Sequence, residues 1–327
     1  MPNTNGYLQE INTLTQAIEP ILKQNNYEVP NIPDFVDFDF TGAYMDRIIQ
    51  GRTRSHSKRG AGFRSGSPGF AKAPHVEVSR DTISINNYPW LEYILWSKYE
   101  LEQAKRGIIS FDTLSERVDA VKKSWDLDKQ DAIFCGFKEG NIEIFGLLNI
   151  PNVNSNNSLI PNGKGIKNLS ATEMHNFIAE ILDAYAKNSR IATMPDRFVV
   201  PLADYLGWGN TLVASPDLNN VNVIQKSIVE YLEDMFKTMT QNPSFKILFS
   251  KYSEASIMKE ITGIELNRYA LYKKERESLR FVIPQELTTS NIVETSPETF
   301  SMAASGQLAG IICGRPENIL YLDTAEA

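Results

Sequence analysis

The 327-residue chain is 42% hydrophobic and 10% aromatic, with a formal charge of −7. That much apolar surface offsets the entropy lost on folding, which excludes a wholly disordered chain and leaves room for one large core or two modest ones. Two cysteines, Cys135 and Cys313, each in an apolar run, exclude a disulfide-stapled scaffold and read as buried reduced thiols.

No run is long and apolar enough for a membrane span. The N-terminus, MPNTNGYLQEINTLTQAIEP, has no basic region leading into an apolar one, so no signal peptide is expected and a cytosolic origin fits. Within residues 7 to 22, Tyr7, Leu8, Ile11, Leu14, Ile18 and Leu22 recur at helical spacing, punctuated by Pro20 and PNIPDF, which predicts an arm with one short helix. In PDFVDFDF, Asp34, Asp37 and Asp39 could chelate a hard cation. The interleaved Phe35, Val36, Phe38 and Phe40 read better as an extended arm with alternating faces.

Charge is unevenly spread. Residues 47 to 76 hold Arg47, Arg52, Arg54, Lys58, Arg59, Arg64 and Lys72 with no acid, a segment of +7. The remainder sets 26 basic residues against 40 acidic ones, −14, so an acidic body bears one basic extension. Glycine and serine separate the cations without an apolar period, which predicts a protruding loop from Gly51 to Pro74.

Next, Pro89 suits a first helical position and Trp90, Leu91, Ile94, Leu95 and Leu101 make a stripe before Gly107, predicting a helix over about 89–106. After Ser110, a plausible N-cap, Phe111, Leu114, Val118, Val121 and Trp125 repeat at spacings of 3 and 4. They predict a second helix, to Phe134, of roughly 36 Å, stopped by Gly136. EIFGLLNIPNV (143–153) reads as a strand entering a new domain, followed by the polar loop SNNSLIPNGKGIKN. Ser170 and Glu173 form a capping box before the stripe Met174, Phe177, Ile178, Ile181, Leu182 and Tyr185. RFVVP (197–201) reads as a buried strand, and Ile224, Ile228, Tyr231, Leu232, Met235 and Met239 as a helix ending before Pro243. RYALYKK, LRFVIPQ and the two halves of GQLAGIICGRPENILYLD read as strands. The order of elements is α+β, without regular alternation.

No motif nominates an active site. Of three histidines, His56 and His75 lie in or beside the basic segment and His175 on a helix, whereas nucleophilic catalysis needs a rigidly placed base. There is no CxxC, HExxH or EF-hand spacing, and NGKGIKN (162–168) lacks the gap and the hydroxyl of a phosphate-cradling loop. Glu230, Glu233 and Asp234 read as a solvated helix face. No enzyme, cofactor or metal is expected. Residues 47–80 could bind nucleic acid through phosphate neutralisation, but only Phe63 and Phe70 are available for stacking and the acidic body repels a polyanion.

The order of the long helix, then FGLLNIPNV, FVVPLADY, NRYALYKKERESLRFVIPQELTT and GQLAGIICGRPENILYLD, resembles a tailed-phage major capsid family with the Hong Kong 97-type fold, which encapsulin shells share. The resemblance covers roughly residues 80 to 323. It implies an N-terminal arm (1–44), an extended basic loop (45–86), a peripheral domain (87–150) with spine helix 111–134, an axial domain (151–285) and a return to the peripheral domain (286–327). It also implies a non-enzymatic structural protein that self-assembles into hexamers and pentamers of an icosahedral head around double-stranded DNA, touched without sequence preference. Portal and scaffolding or decoration proteins would be further partners. The protein would reside in the virion, and in the host cytoplasm during assembly. Arg52, Arg54, Lys58, Arg59, Arg64 and Lys72 would form the loop's subunit interface, since a coreless cationic loop suits an acidic surface on an identical neighbour. No covalent cross-link through Lys58 or Lys72 is expected. An encapsulin-type compartment and, in a different class, a nucleic-acid-binding protein acting through 47–80 are the alternatives.

Overall fold

The computed structural model describes residues 32–56, 77–105, 112–159, 171–190, 192–210, 212–215, 224–263 and 265–324. The expected N-terminal helix, the loop tip and NGKGIKN lie outside the described residues. In chain order, α1 (Ile32–Phe35) and β1 (Asp37–Asp39) precede an antiparallel ribbon of β2 (Arg47–His56) and β3 (Glu77–Asn86). Then come β4 (Tyr88–Ser97), α2 (Lys98–Lys105), the long helix α3 (Asp112–Phe134), hairpin β5 (Phe137–Glu139) and β6 (Ile142–Ile144), and β7 (Asn154–Ser155). The middle of the chain holds α4 (Ala171–Asn188), β8 (Arg197–Pro201), α5 (Leu202–Asn210), β9 (Leu212–Ser215), β10 (Ile224–Ser227), α6 (Ile228–Thr240), β11 (Lys246–Ser250) and α7 (Ala255–Thr262). Strands β12 (Asn267–Tyr272), β13 (Leu279–Val282), β14 (Gln285–Thr289), β15 (Val293–Ser296), β16 (Thr299–Leu308), β17 (Gly310–Cys313) and β18 (Ile319–Thr324) complete it.

Two sheets organise the body. A five-stranded mixed sheet has the order β11-β8-β12-β18-β7. Period-2 alternation sends Phe198, Val200, Tyr269, Leu271, Leu320 and Leu322 to one face, under α4 and α6. Val199, Ala270, Tyr272, Ile319 and Tyr321 face the other way, into a core shared with the end of α3. The strands therefore read as continuous apolar runs because both faces are covered. In the second sheet β16 pairs along its whole length with β4 on one side and with β14 and β15 on the other. Its inner face, with Ile94, Trp96, Phe300, Met302 and Ala304, packs on Val118 and Val121 of α3. Two polar contacts seat the helix. The Trp90 indole N–H donates to Asp128 at 2.8 Å, and Lys129 lies 3.4 Å from Glu286 of β14. Gly306 sits directly under Trp125, where an added Cβ would come within 2.6 Å of the ring.

The stretch after α3 joins the two sheets. Gly136, at φ +74°, ends the helix as expected. The last carbonyls, of Ile133 and Phe134, accept from the N–H groups of Leu147 and Leu148, both at 2.7 Å. Arg268 of β12 then forms a bidentate pair with Asp323 of β18, at 2.7 and 3.0 Å, and donates its remaining nitrogen to the Leu148 carbonyl. Its guanidinium stacks 4.7 Å from the Tyr321 ring, whose hydroxyl donates to the Leu147 carbonyl at 2.6 Å. EIFGLLNIPNV (143–153) is thus mostly not a strand. Only Glu143 and Ile144, at the end of β6, extend, and FGLLNIPNV is a set of turns that satisfies the helix end and this buried pair.

Two further expectations change. The stripe over 89–106 belongs to strand β4 and the short α2, because full pairing with β16 overrides an apolar spacing that also fits a strand. The break was legible: Ser97 and Glu100 form a reciprocal capping box, both bonds at 3.1 Å, which starts the helix at Lys98. Residues 224–227 pair with β9, and α6 begins only after its N-cap Ser227. The C-terminal strand β18 lies in the five-stranded sheet. It pairs with β12 and β7, where the Arg268–Asp323 pair holds it.

Arg268→Met leaves Asp323 buried without its counter-charge, so a loss of about 3–5 kcal/mol is expected in chemical denaturation. Gly306→Val forces Trp125 out of place and is expected to cost about 1–3 kcal/mol, with altered near-ultraviolet dichroism from the displaced indole. Burial pushes the Cys135 thiol up to about 12, while Cys313 is half-buried. At pH 8, iodoacetamide is therefore expected to spare Cys135 in the native protein and to modify it promptly after unfolding, read by mass spectrometry.

Candidate assembly surface

The basic extension identified from sequence begins as the β2–β3 ribbon. Ile48, Ile83 and Ile85 pack its base onto Val282, Ala309 and Ile312 of the body. Upstream, residues 40–46 are fixed against the second sheet. The Tyr44 N–H donates to the Gln307 side chain at 2.8 Å, and the Asn87 amide donates to the Met45 carbonyl at 2.7 Å. Asp39 pairs with Arg280 at 2.8 Å and is buried, and β1 adds in parallel to β13, so the PDFVDFDF segment is structural, but it is not the extended arm with alternating faces: Pro33–Phe35 lie in α1, Phe35 and Val36 are both buried, and Phe40 is exposed. Among the described residues, no group of three or more histidine, cysteine or carboxylate side chains is placed to hold a metal.

Of the six expected interface residues, Arg52 and Arg54 fall on β2, while Lys58, Arg59, Arg64 and Lys72 lie outside the described residues. The register sets Arg52 opposite Asp81 and His56 opposite Glu77. The paired strands, with Arg47, Arg52, Arg54 and Arg80 against Glu77 and Asp81, carry only +2. The segment read as uniformly cationic from sequence thus divides. Acids on the return strand partly offset the stem, and the four cations of residues 57–76 have no acid among them.

Sequence reasoning missed a second feature, a belt of large apolar residues on the surface. Phe40, Tyr44, Met45 and Ile49 are exposed around the ribbon's base, and Leu91, Tyr93 and Leu95 stand 54–63% exposed on the outer face of β4. Their alternation with buried Ile94 and Trp96 is visible in YPWLEYILWS once the segment is read as a strand. Exposed apolar side chains gathered on one face mark surfaces that another molecule covers.

A mixed α+β body, a long helix laid across a sheet, a projecting two-stranded ribbon and uncovered apolar surface define a structural subunit of the Hong Kong 97-type, built to tile with copies of itself. The chain belongs to the major capsid protein family, whose model matches residues 71–324. It is a structural shell protein that assembles with its own copies in a virion capsid. No curated protein matches the sequence. Among solved structures, the fold is shared with the capsid of Myoviridae phage XM1 at TM-score 0.67 and 17% identity, covering 92% of this chain and 93% of that one. It is also shared with the capsid of a native GTA particle, at 0.55 and 10% identity over 92% and 95% of the two chains. A chain of Mycobacterium phage Bobi matches at 0.53 and 12% identity, over 93% of each.

Tyr93→Ser and Leu95→Ser remove apolar surface that is open to solvent in the subunit. Each is expected to change subunit stability by less than about 0.5 kcal/mol in denaturant titration while lowering the yield of pelletable particles.

Proposed function

We propose that this chain is the tile of an icosahedral phage head, arranged as hexamers and pentamers around double-stranded DNA. The observation that carries the reading is the ribbon: ten paired residues per strand stand on one apolar seam, with four further cations beyond them and an acidic body behind. In this reading residues 45–86 are the loop that reaches over a neighbour, 1–44 the arm, 87–150 the peripheral domain and 151–285 the axial domain. Arg52, Arg54, Lys58, Arg59, Arg64 and Lys72 meet acidic groups of the adjacent copy. Opposite charges set the register of such a contact more than its affinity, and repetition around a closed shell multiplies modest contacts. Portal and scaffolding or decoration proteins, and assembly in the host cytoplasm, belong to the same reading. DNA contact is non-specific and electrostatic.

Replacing those six residues by glutamine is expected to abolish particles in negative-stain images and sedimentation, while helical dichroism and the melting temperature stay close to the parent's. Particles that form normally would refute the loop's role. Nuclease-protected double-stranded DNA inside purified particles supports a phage head, and an enclosed protein cargo would point instead to an encapsulin-type compartment.

A further inference from the structure

The two body sheets end in four edges, and a strand edge offers its N–H and C=O groups to any other strand. The hazard is acute for a chain that gathers many copies of itself, because identical edges then meet at high local concentration. Each of the four edges carries a feature that obstructs such pairing.

Strand β4 is ten residues long and pairs throughout with β16; among the described residues no strand pairs with its other side. The Lys98 N–H donates to the Glu298 carbonyl at 2.8 Å, in register with that pairing. Even-numbered residues therefore turn their backbone groups toward β16 and odd-numbered ones outward. On the outward side Pro89 has no N–H to offer. At the other end the Arg117 guanidinium of α3 donates to the Leu95 carbonyl, and Glu100 of α2 accepts from the Ser97 N–H at 3.1 Å. Arg117 and Glu100 are themselves joined, at 2.8 and 3.2 Å. One ion pair thus covers two consecutive outward positions. Between it and Pro89 lie Leu91 and Tyr93, a stretch shorter than the roughly five residues of an ordinary strand.

The opposite edge of this sheet is broken. Strands β14 and β15 follow one another along β16, and each has a register shift, between Gln285 and Thr288 and between Glu294 and Ser296. Such bulges twist an edge and interrupt its row of bonding groups. In the five-stranded sheet, β7 is two residues long. At β11 the Lys246 N–H donates to the Asp196 carbonyl just before β8, so Lys246 and Leu248 turn toward β8, and Ile247 and Phe249 outward. The Ile247 N–H is taken by the Glu233 carboxylate of α6 at 3.0 Å, whose other oxygen pairs with Lys237 at 3.2 Å. The Tyr205 ring of α5 lies 4.9 Å from that of Phe249.

We propose that Arg117 with Glu100, and Glu233, are specificity determinants of assembly: they close the β4 and β11 edges, so that copies cannot join by extending one another's sheets. The inference rests on the shell reading and deepens it. Strand β4 of one copy against the β14 edge of the next is a head-to-tail contact, which propagates as an open fibre unless its rotation closes. Arg117 and Glu100 are 42% and 40% exposed, and an ion pair so exposed adds little to subunit stability. Its removal therefore separates pairing specificity from folding.

The test expresses the full chain with Arg117→Ala and Glu233→Ala beside the parent. Closed particles counted in negative-stain images are expected to fall at least about threefold, with the missing protein in open or fibrous aggregates. In those aggregates, deuterium uptake over 88–97 and 246–250 is expected to be about tenfold slower than in the soluble subunit, because outward amides such as those of Tyr93 and Ile247 have gained partners. Arg117→Lys keeps a donor for Leu95 and Glu233→Gln an acceptor for Ile247, so that pair is expected to assemble as the parent does. Closed particles at the parent's yield in the alanine variant would overturn the inference. So would aggregates whose edges exchange at the soluble subunit's rate, or conservative variants that fail as the alanine ones do. Should the double variant not fold, Glu233→Ala alone is read in the same way over 246–250. If the parent itself forms no shell with every partner present, the shell reading falls. The same variants then still test the edges, as a shift of the soluble subunit toward sheet-paired oligomers in sedimentation.

Discussion

The bidentate pair of Arg268 and Asp323 is the constraint on which the rest of the body depends. Both side chains are largely withdrawn from solvent, with side-chain exposures of 11% and 6%. Desolvation of two charges is offset only because nearly every polar atom is engaged. The guanidinium serves the carboxylate and the Leu148 carbonyl while stacking on Tyr321, and Asp323 also accepts from the Ser155 hydroxyl at 2.8 Å. That geometry clamps β12 to β18, holds the turns after α3 in place, and so fixes the long helix to the five-stranded sheet.

With the body rigid, the projecting parts gain defined directions. The ribbon rests on an isoleucine seam over β13 and β17, and the chain entering it is bonded to Gln307 and Asn87. Its direction is therefore set by the same framework that carries α3. Apolar surface and unbalanced positive charge are found on and beside these extensions. His175 is exposed on α4. Glu233 accepts from the Ile247 N–H and pairs with Lys237, a structural role. A tile needs rigid edges and complementary surfaces, and the molecule's chemistry is distributed accordingly.

Much of this was legible in the residues. The helices α3 and α4 follow from spacings of 3 and 4 with Gly136 and Glu173 at their ends, and RFVVP and NRYALY from apolar runs with β-branched and aromatic residues. The class and the basic extension were likewise readable, as was the family through the order of its motifs. The failures have one physical origin. Around 89–96 the apolar residues satisfy both a 3.6 and a 2.0 period, and the choice between them is made by β16, more than 200 residues away. Leu147, Leu148 and Ile150 look like strand residues because they are apolar, but they are buried core residues carried on turns beside an ion pair that the local sequence does not announce.

The amino-acid order by itself determined which segments bury apolar faces, where the charge imbalance lies and how the chain is punctuated, because these depend on neighbours within a few residues. Tertiary structure alone decided the partner of Arg268, the placement of β18 in the five-stranded sheet, the register that sets acids opposite part of the ribbon, and the exposed apolar row on the outer face of β4. Each of those depends on register between strands distant in the chain, and a shift of one residue would turn every side chain to the opposite face.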